Sequence, residues 1–151
     1  MSHIAKKELY DFCVVFATDR LARLNAQIAG IGNALAAETK SSAGDKHETG
    51  RAMLQLEREK LGKQLLEAER MLLTVQRIPL STSADRVVPG SLVQTDNQFY
   101  YIAISAGKYE VCGQIFFCVS PGTPVAQKLL GRMVGELFIM NKKEQTILTI
   151  S

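Results

Sequence analysis

The sequence predicts an α+β protein, with an N-terminal antiparallel helical hairpin of the coiled-coil type and then a small antiparallel sheet domain carrying one short helix. Three observations predict this class. No proline interrupts the first 40 residues, and apolar residues repeat at coiled-coil spacing along two long segments. The last part of the chain instead shows short β-rich runs separated by turn residues. The expected ranges are a hairpin over 1–78 with its tip at 41–48, a linker over 79–87 and the sheet domain over 88–151.

Both long segments carry an apolar seam. In the first, apolar residues alternate at spacings of three and four, and in the second they repeat every seven residues with others between them. The positions are Val14, Ala17, Leu21, Leu24, Ile28, Ile31 and Leu35, and then Leu54, Leu61, Leu65, Ala68, Leu72 and Val75. We expect the two helices to pack along these seams within one chain, which predicts a monomer.

The sheet domain is expected to open at Gly90–Gln94 and to continue through Phe99–Ile104. Apolar residues alternate from Tyr109 to Val119, with Gly113 as a bulge candidate. Two closing strands are expected at the C-terminal end, at Leu137–Met140 and Gln145–Ile150, joined by a turn at Asn141–Lys142.

A short helix is predicted between Val119 and the two closing strands. Thr123 has the side chain of an N-cap, and Pro124 suits the first helical turn. Gly131 is the expected C-terminal stop.

Composition indicates a folded, soluble protein of the cytoplasm. Apolar residues make up 46% of the chain, charged residues 22%, and the formal charge is +3, which is too mild to indicate nucleic-acid binding by itself. The run Phe12–Ala17 is far shorter than the roughly 20 residues of a membrane span, and no secretory cleavage pattern follows it. Three cysteines without CxxC spacing are expected to be reduced thiols.

Two carboxylates stand at the expected hairpin turn, Asp45 and Glu48. An Asp at an N-cap with a Glu three residues later is a capping box, so both side chains have a structural role open to them. The same spacing places both near one face of an exposed tip, where they could ligate Mg²⁺. The two roles are compatible, because a carboxylate keeps lone pairs after accepting one backbone hydrogen bond.

The chain resembles the Gre-type transcript-cleavage and elongation factors of bacterial RNA polymerase. The run Thr123–Glu136 is similar to that family's Ser-Pro-hydrophobic-small-x-x-Leu-Leu-Gly-x-x-Val-Gly-acid signature. The start Gly90–Val93 matches the family's domain opening, and Gly44–Glu48 resembles its Gly-Asp-x-x-Glu-Asn tip. The long hairpin before a compact domain also matches the family's layout.

The resemblance implies a transcription factor that is not itself an enzyme. Its FKBP-like C-terminal domain would bind RNA polymerase, and the hairpin would enter the secondary channel, near the nascent RNA and DNA. Asp45 and Glu48 would there support a catalytic Mg²⁺ shared with the polymerase, which cleaves the backtracked RNA itself. Weak Mg²⁺ binding by the free protein is expected.

Alternatives remain open. Thr49 stands where the family has Asn, and Gly50–Ala52 replaces a segment that usually carries another acid and a Tyr, which suits a channel-binding regulator without cleavage. The second domain could also be a peptide-binding or prolyl-isomerase module on a coiled-coil stalk. FKBP-type prolyl isomerases, however, line their pocket with aromatic residues that include a Trp, and this chain has no Trp. A coiled coil that dimerises through its seams is a further alternative.

Weaker candidates have ordinary explanations. His47 is expected to be a solvated turn residue. Cys112 and Cys118 share strand parity, so both are expected on one side of the sheet as buried thiols. Tyr100, Tyr101 and Tyr109 are expected to be core aromatics of the strands.

Overall fold

The computed structural model describes the backbone of residues 2–40, 45–82 and 85–151, and side chains within 6–38, 48–82 and 85–151. Three helices and six strands occupy this part of the chain. In order they are α1 (Ser2–Lys40), α2 (Asp45–Gln76), β1 (Leu92–Thr95), β2 (Phe99–Ile102), β3 (Gly107–Val111), β4 (Gln114–Val119), α3 (Pro124–Leu129), β5 (Leu137–Met140) and β6 (Lys143–Ile150). The predicted order of a helical hairpin, then a sheet with one short helix, is confirmed.

The chain forms two compact units. The coiled-coil unit is Ala17–Leu72, and the sheet unit combines Met1–Phe16 with Leu73–Ser151. The start of α1 and the end of α2 therefore belong to the sheet unit. The predicted ranges of the hairpin, the linker and the C-terminal domain stay a prediction.

The coiled-coil unit is built on the predicted seam. Leu24, Leu61 and Ala68 are buried where the two helices meet. Four partly buried residues extend this contact along both helices, namely Leu21, Ile28, Ile31 and Leu65. Burial of one such leucine contributes about 1.5–3 kcal/mol, so the seam accounts for the pairing of the arms. In the described residues, no helix is both long and apolar enough to span a membrane.

The sheet unit holds one six-stranded sheet in the order β3-β4-β2-β1-β6-β5. Most neighbouring strands are antiparallel, as predicted, but β2 and β4 run parallel, with Tyr101 opposite Cys118. The sequence did not predict this pair. It arises because β3 folds back on the outer side of β4 as a hairpin, which leaves the inner edge of β4 for β2.

Each face of the sheet packs on helices. On one face the core surrounds α3, and its buried members are Val87, Val93, Tyr100, Ile102, Ala126, Leu129, Phe138 and Ile147. On the other face, the first part of α1 reaches the sheet, where the rings of Phe12 and Tyr109 lie 4.8 Å apart. Leu9 and Cys13 are fully buried here. Tyr100 and Tyr101 therefore serve opposite cores, as expected of strand aromatics.

Two expectations about the β3–β4 region were wrong. Gly113 is not a bulge, because Val111 pairs directly with Gln114. Cys112 and Gly113 form the two-residue turn between the strands, with φ of 53° and 77°, as in a type I′ hairpin turn. Cys112 is consequently exposed, while Cys118 is buried.

The predicted Asn141–Lys142 turn is confirmed, with φ of 54° and 66° at its two residues. It also has the backbone of a type I′ turn and joins β5 to β6. The last strand begins at Lys143, two residues earlier than predicted.

The caps of α3 are confirmed. The Thr123 hydroxyl accepts a hydrogen bond from the Ala126 backbone N–H at 3.3 Å, and Pro124 is the first helical residue. Gly131 follows the helix at φ 83°, the left-handed conformation that glycine adopts without a steric penalty.

Candidate functional site

The predicted site lies between the end of α1 and the first turn of α2. The described part of α1 ends at Lys40, and α2 begins at Asp45. Residues 41–44 lie outside the described residues, as do the side chains of Asp45 and His47. Glu48 is described, and it is an exposed side chain in the first turn of α2. The metal-binding pair and the capping box both stay predictions, with Glu48 available to solvent for either role.

A further carboxylate lies close to this end of α2. A Cβ built on Gly50 would be 3.8 Å from Oε1 of Glu38, so the Glu38 carboxylate lies over the α2 backbone, within the coiled-coil unit. Its side chain is half-buried. Glu38 was not predicted from the sequence, because the expected site used only the acids on the C-terminal side of the turn. The sequence shows only that Glu38 lies near the end of the first helix.

The described residues contain no cluster of three or more His, Cys, Asp or Glu side chains that could hold a metal ion. Glu38 and Glu48 are acids of the tip that the structure describes, and the sequence adds Asp45. Mg²⁺ takes six oxygens and often only one or two protein carboxylates, with water or a partner completing the shell. Mg²⁺ binding by Asp45 and Glu48 therefore stays a prediction.

The helix arm behind the tip presents two large apolar side chains to solvent. Met53 is 67% exposed and Leu56 is 68% exposed. They lie on α2 within about three turns of its start. Mixed charges cover the surface around and beyond them, including Glu57, Arg58, Glu59, Lys60, Lys63 and Glu67. This surface offers a partner both apolar contact and ion pairing, whereas the charge pattern of the sequence indicated only a solvated face.

The buried thiols of the sheet unit are poor candidates for chemistry. Cys118 is 2% exposed and Cys13 is 0% exposed. A hydrogen bond with Cys13, together with burial, raises the pKa of the Cys118 thiol far above its usual range. The thiolate is the reactive form of cysteine, so Cys118 is expected to be inert. The prediction of a buried structural thiol is confirmed for Cys118.

The peptide-isomerase alternative predicts a pocket lined by aromatic side chains. A groove of about 540 Å³ lies on the sheet unit, and Tyr100 is the one aromatic residue that lines it. Amide and ammonium groups supply most of the remaining lining. This polar lining does not favour isomerase chemistry.

No protein-family model matches the chain, and no curated protein sequence matches it. A comparison with solved structures finds similarity to the transcription factor Gfh1 at 17% identity. The match covers 91% of this chain and 92% of that one, with a TM-score of 0.38. A likeness at this level establishes no family.

Proposed function

We propose that this protein is an accessory factor of bacterial RNA polymerase that places the tip of its hairpin in the secondary channel. There Asp45 and Glu48 would support a Mg²⁺ ion during cleavage of backtracked RNA. The observation that carries the proposal is a long, seam-packed helical pair with an exposed carboxylate, Glu48, in the first turn of α2.

The length of the arms supports delivery of the tip to a distant site. At 1.5 Å per residue, the stretch of α2 within the coiled-coil unit reaches about 40 Å. A buried leucine seam along the paired helices keeps such an arm stiff. A small globular core does not need helices of this length, so the arms are better explained by reach.

The sheet unit supports a docking role. Its α3 follows the cap pattern of the resembled signature, with Thr123 as N-cap and Gly131 just beyond the last turn. That signature is the most specific resemblance in the chain, because it sets a cap, a helix length and the following turn together. The unit has its own core around α3, so it can serve as an anchor for the hairpin.

The chemistry rests on what a contributed carboxylate does. A second metal ion held near the polymerase's own would stabilise the attacking and leaving oxygens of phosphodiester hydrolysis. The role of Asp45 and Glu48 is to ligate that ion through carboxylate oxygens and to orient its bound water. The bond cleavage itself belongs to the polymerase.

The test uses stalled, backtracked RNA polymerase complexes and follows release of the RNA 3′ fragment. Wild type is expected to accelerate release of the RNA fragment. Glu48→Gln or Asp45→Asn should reduce the rate of release at least about tenfold, the size of effect seen when a group that supports a metal site is lost. Glu67→Gln is the matched control, an exposed acid of the same helix far from its start, and it should retain the wild-type rate. No acceleration by wild type would refute the cleavage role.

A second function, channel occupancy without cleavage, is favoured by Arg51. It lies three residues after Glu48 on α2, and such residues are neighbours on a helix surface. A guanidinium there would compete with Mg²⁺ for the carboxylate. Slower elongation in the same complexes, without RNA release and unchanged by Glu48→Gln, would select this function.

A further inference from the structure

A polar groove lies on the α3 face of the sheet unit, between two hairpin turns. Its volume is about 540 Å³. Asn97, of the β1–β2 turn, lines one side, and Asn141, of the β5–β6 turn, lines the other. Tyr100, Lys143 and Gln145 also line it. The described lining residues all belong to the sheet unit, so binding in the groove does not depend on the function proposed for the tip.

The amide of Gln145 is held in one orientation. The side chain is 6% exposed, and its Oε1 accepts hydrogen bonds from the Thr95 hydroxyl at 2.8 Å and the Tyr100 hydroxyl at 3.2 Å. With Oε1 placed against these two hydroxyls, the NH₂ group is at the other end of the amide. That NH₂ donates no hydrogen bond to any described residue.

The free NH₂ faces solvent through the groove. Among the described residues, the buried side-chain polar atom without a partner is the Tyr101 hydroxyl. The Gln145 NH₂ is not among such buried atoms, so it retains contact with solvent, and the groove is the space that Gln145 lines. A buried amide is usually satisfied, and this one is fixed with its donors unused.

Lys143 adds a charge beside this amide. It lies two residues before Gln145 on β6, so both side chains lie on the same face of the strand, and both line the groove. Its ammonium makes no ion pair within the described residues. Glu144 points to the opposite face by the same alternation, and Asp96 in the adjoining turn accepts the Thr146 N–H at 3.0 Å.

We propose that this groove binds the side-chain carboxylate of an acidic peptide segment on a partner protein. The carboxylate would accept hydrogen bonds from the Lys143 ammonium and the Gln145 NH₂, which are charge-assisted. The Tyr100 ring packs against the methylene groups of the bound Asp or Glu. The groove is larger than one such side chain, and the amides of Asn97 and Asn141 are placed for the peptide backbone on either side.

The experiment is a titration of the full chain, labelled with ¹⁵N, with the peptide acetyl-Gly-Glu-Gly-amide. Side-chain NH₂ resonances of Gln145, Asn97 and Asn141 should shift and saturate, with a Kd in the millimolar range typical of a single short motif. The isosteric acetyl-Gly-Gln-Gly-amide should leave them in place. Sodium phosphate is a third arm, and it should bind more weakly than the glutamate peptide.

Lys143→Gln tests the charge and Lys142→Gln is its control, since the two lysines are adjacent but Lys142 does not line the groove. Lys143→Gln should raise the Kd for the glutamate peptide at least about fivefold, and Lys142→Gln should raise it less than about twofold. Replacing Gln145 is less useful, because it would leave the Thr95 and Tyr100 hydroxyls without an acceptor. The proposal is overturned by unshifted amides, by equal binding of the glutamine peptide or phosphate, or by equal losses in the two lysine variants.

Discussion

Tyr101→Phe should stabilise the sheet unit, because the Tyr101 hydroxyl is buried without a hydrogen bond. The side chain is 0% exposed, and its hydroxyl lacks a partner among the described residues. A desolvated, unsatisfied hydroxyl costs about 1–3 kcal/mol. The variant removes that cost and leaves a void of one oxygen atom, which offsets only about 0.4 kcal/mol. The free energy of unfolding of the sheet unit should rise by about 1 kcal/mol, or roughly 4–8 °C in Tm for a unit of this size.

Tyrosine fluorescence during urea denaturation measures this change in the sheet unit alone. The chain has four tyrosines and no tryptophan, and all four tyrosines lie in that unit. Tyr100→Phe is the matched control, because its hydroxyl donates to Gln145 at 3.2 Å. It should lower stability by about 1 kcal/mol. Equal destabilisation by both variants would refute the reasoning.

The difference between wild type and Tyr101→Phe should also depend on pH. Burial raises the pKa of the Tyr101 hydroxyl well above its ordinary 10.0. Below pH 10 the hydroxyl is neutral in both the folded and the unfolded chain. As pH rises above 10, only the unfolded chain ionises freely, so wild type loses stability there. The advantage of the phenylalanine variant should therefore grow above pH 10, and a constant difference would contradict the assigned burial.

Lys6→Met should raise the free energy of unfolding by about 1 kcal/mol at pH 7, because Lys6 is 3% exposed and burial lowers its pKa. The gain over wild type should shrink as pH approaches 10.5, where the lysine of the unfolded chain also becomes neutral. Leu61→Ala should lower the free energy of unfolding of the coiled-coil unit by about 2–5 kcal/mol, as measured from an unfolding curve followed by the helical circular dichroism signal. Leu56→Ala, at an exposed position, should change this free energy little. Cys112 should react with a thiol reagent in the folded protein and Cys118 only after unfolding, and equal rates would contradict the described burial.

Much of the fold could be predicted because its signals are local. The leucine seam, with Leu24 and Leu61 at its centre, follows from helical periodicity alone. The Thr123 cap and the Asn141–Lys142 turn follow from the backbone preferences of single residues. The parallel β2–β4 pair could not be predicted, since strand order depends on how distant segments pack.

Two other features could not be predicted, because two different structures give the same sequence pattern at these positions. Val75 continues the heptad repeat of α2, which predicts a place in the coiled-coil seam. It is instead buried in the sheet unit. Gly113 has the same effect on a strand pattern whether it forms a bulge or a turn. Only the pairing of Val111 with Gln114 decides between them.

The candidate site was predicted from spacing, and the sequence could supply only part of it. Asp45 and Glu48 follow from the turn and from helix geometry. Glu38 could not, because its position over Gly50 depends on how the two arms pair. The groove at Gln145 was likewise hidden, since its amide is oriented by Thr95 and Tyr100, which are 50 and 45 residues away.

The central claim is that the hairpin tip reaches the catalytic centre of RNA polymerase. Its most direct measurement replaces the polymerase's active-site Mg²⁺ with Fe²⁺ and maps where locally generated hydroxyl radicals cut the bound protein. Cleavage should fall at the junction of α1 and α2, around Lys40–Gly50, and should disappear without polymerase. Cleavage within the sheet unit, or none in a complex shown to be bound, would contradict the account.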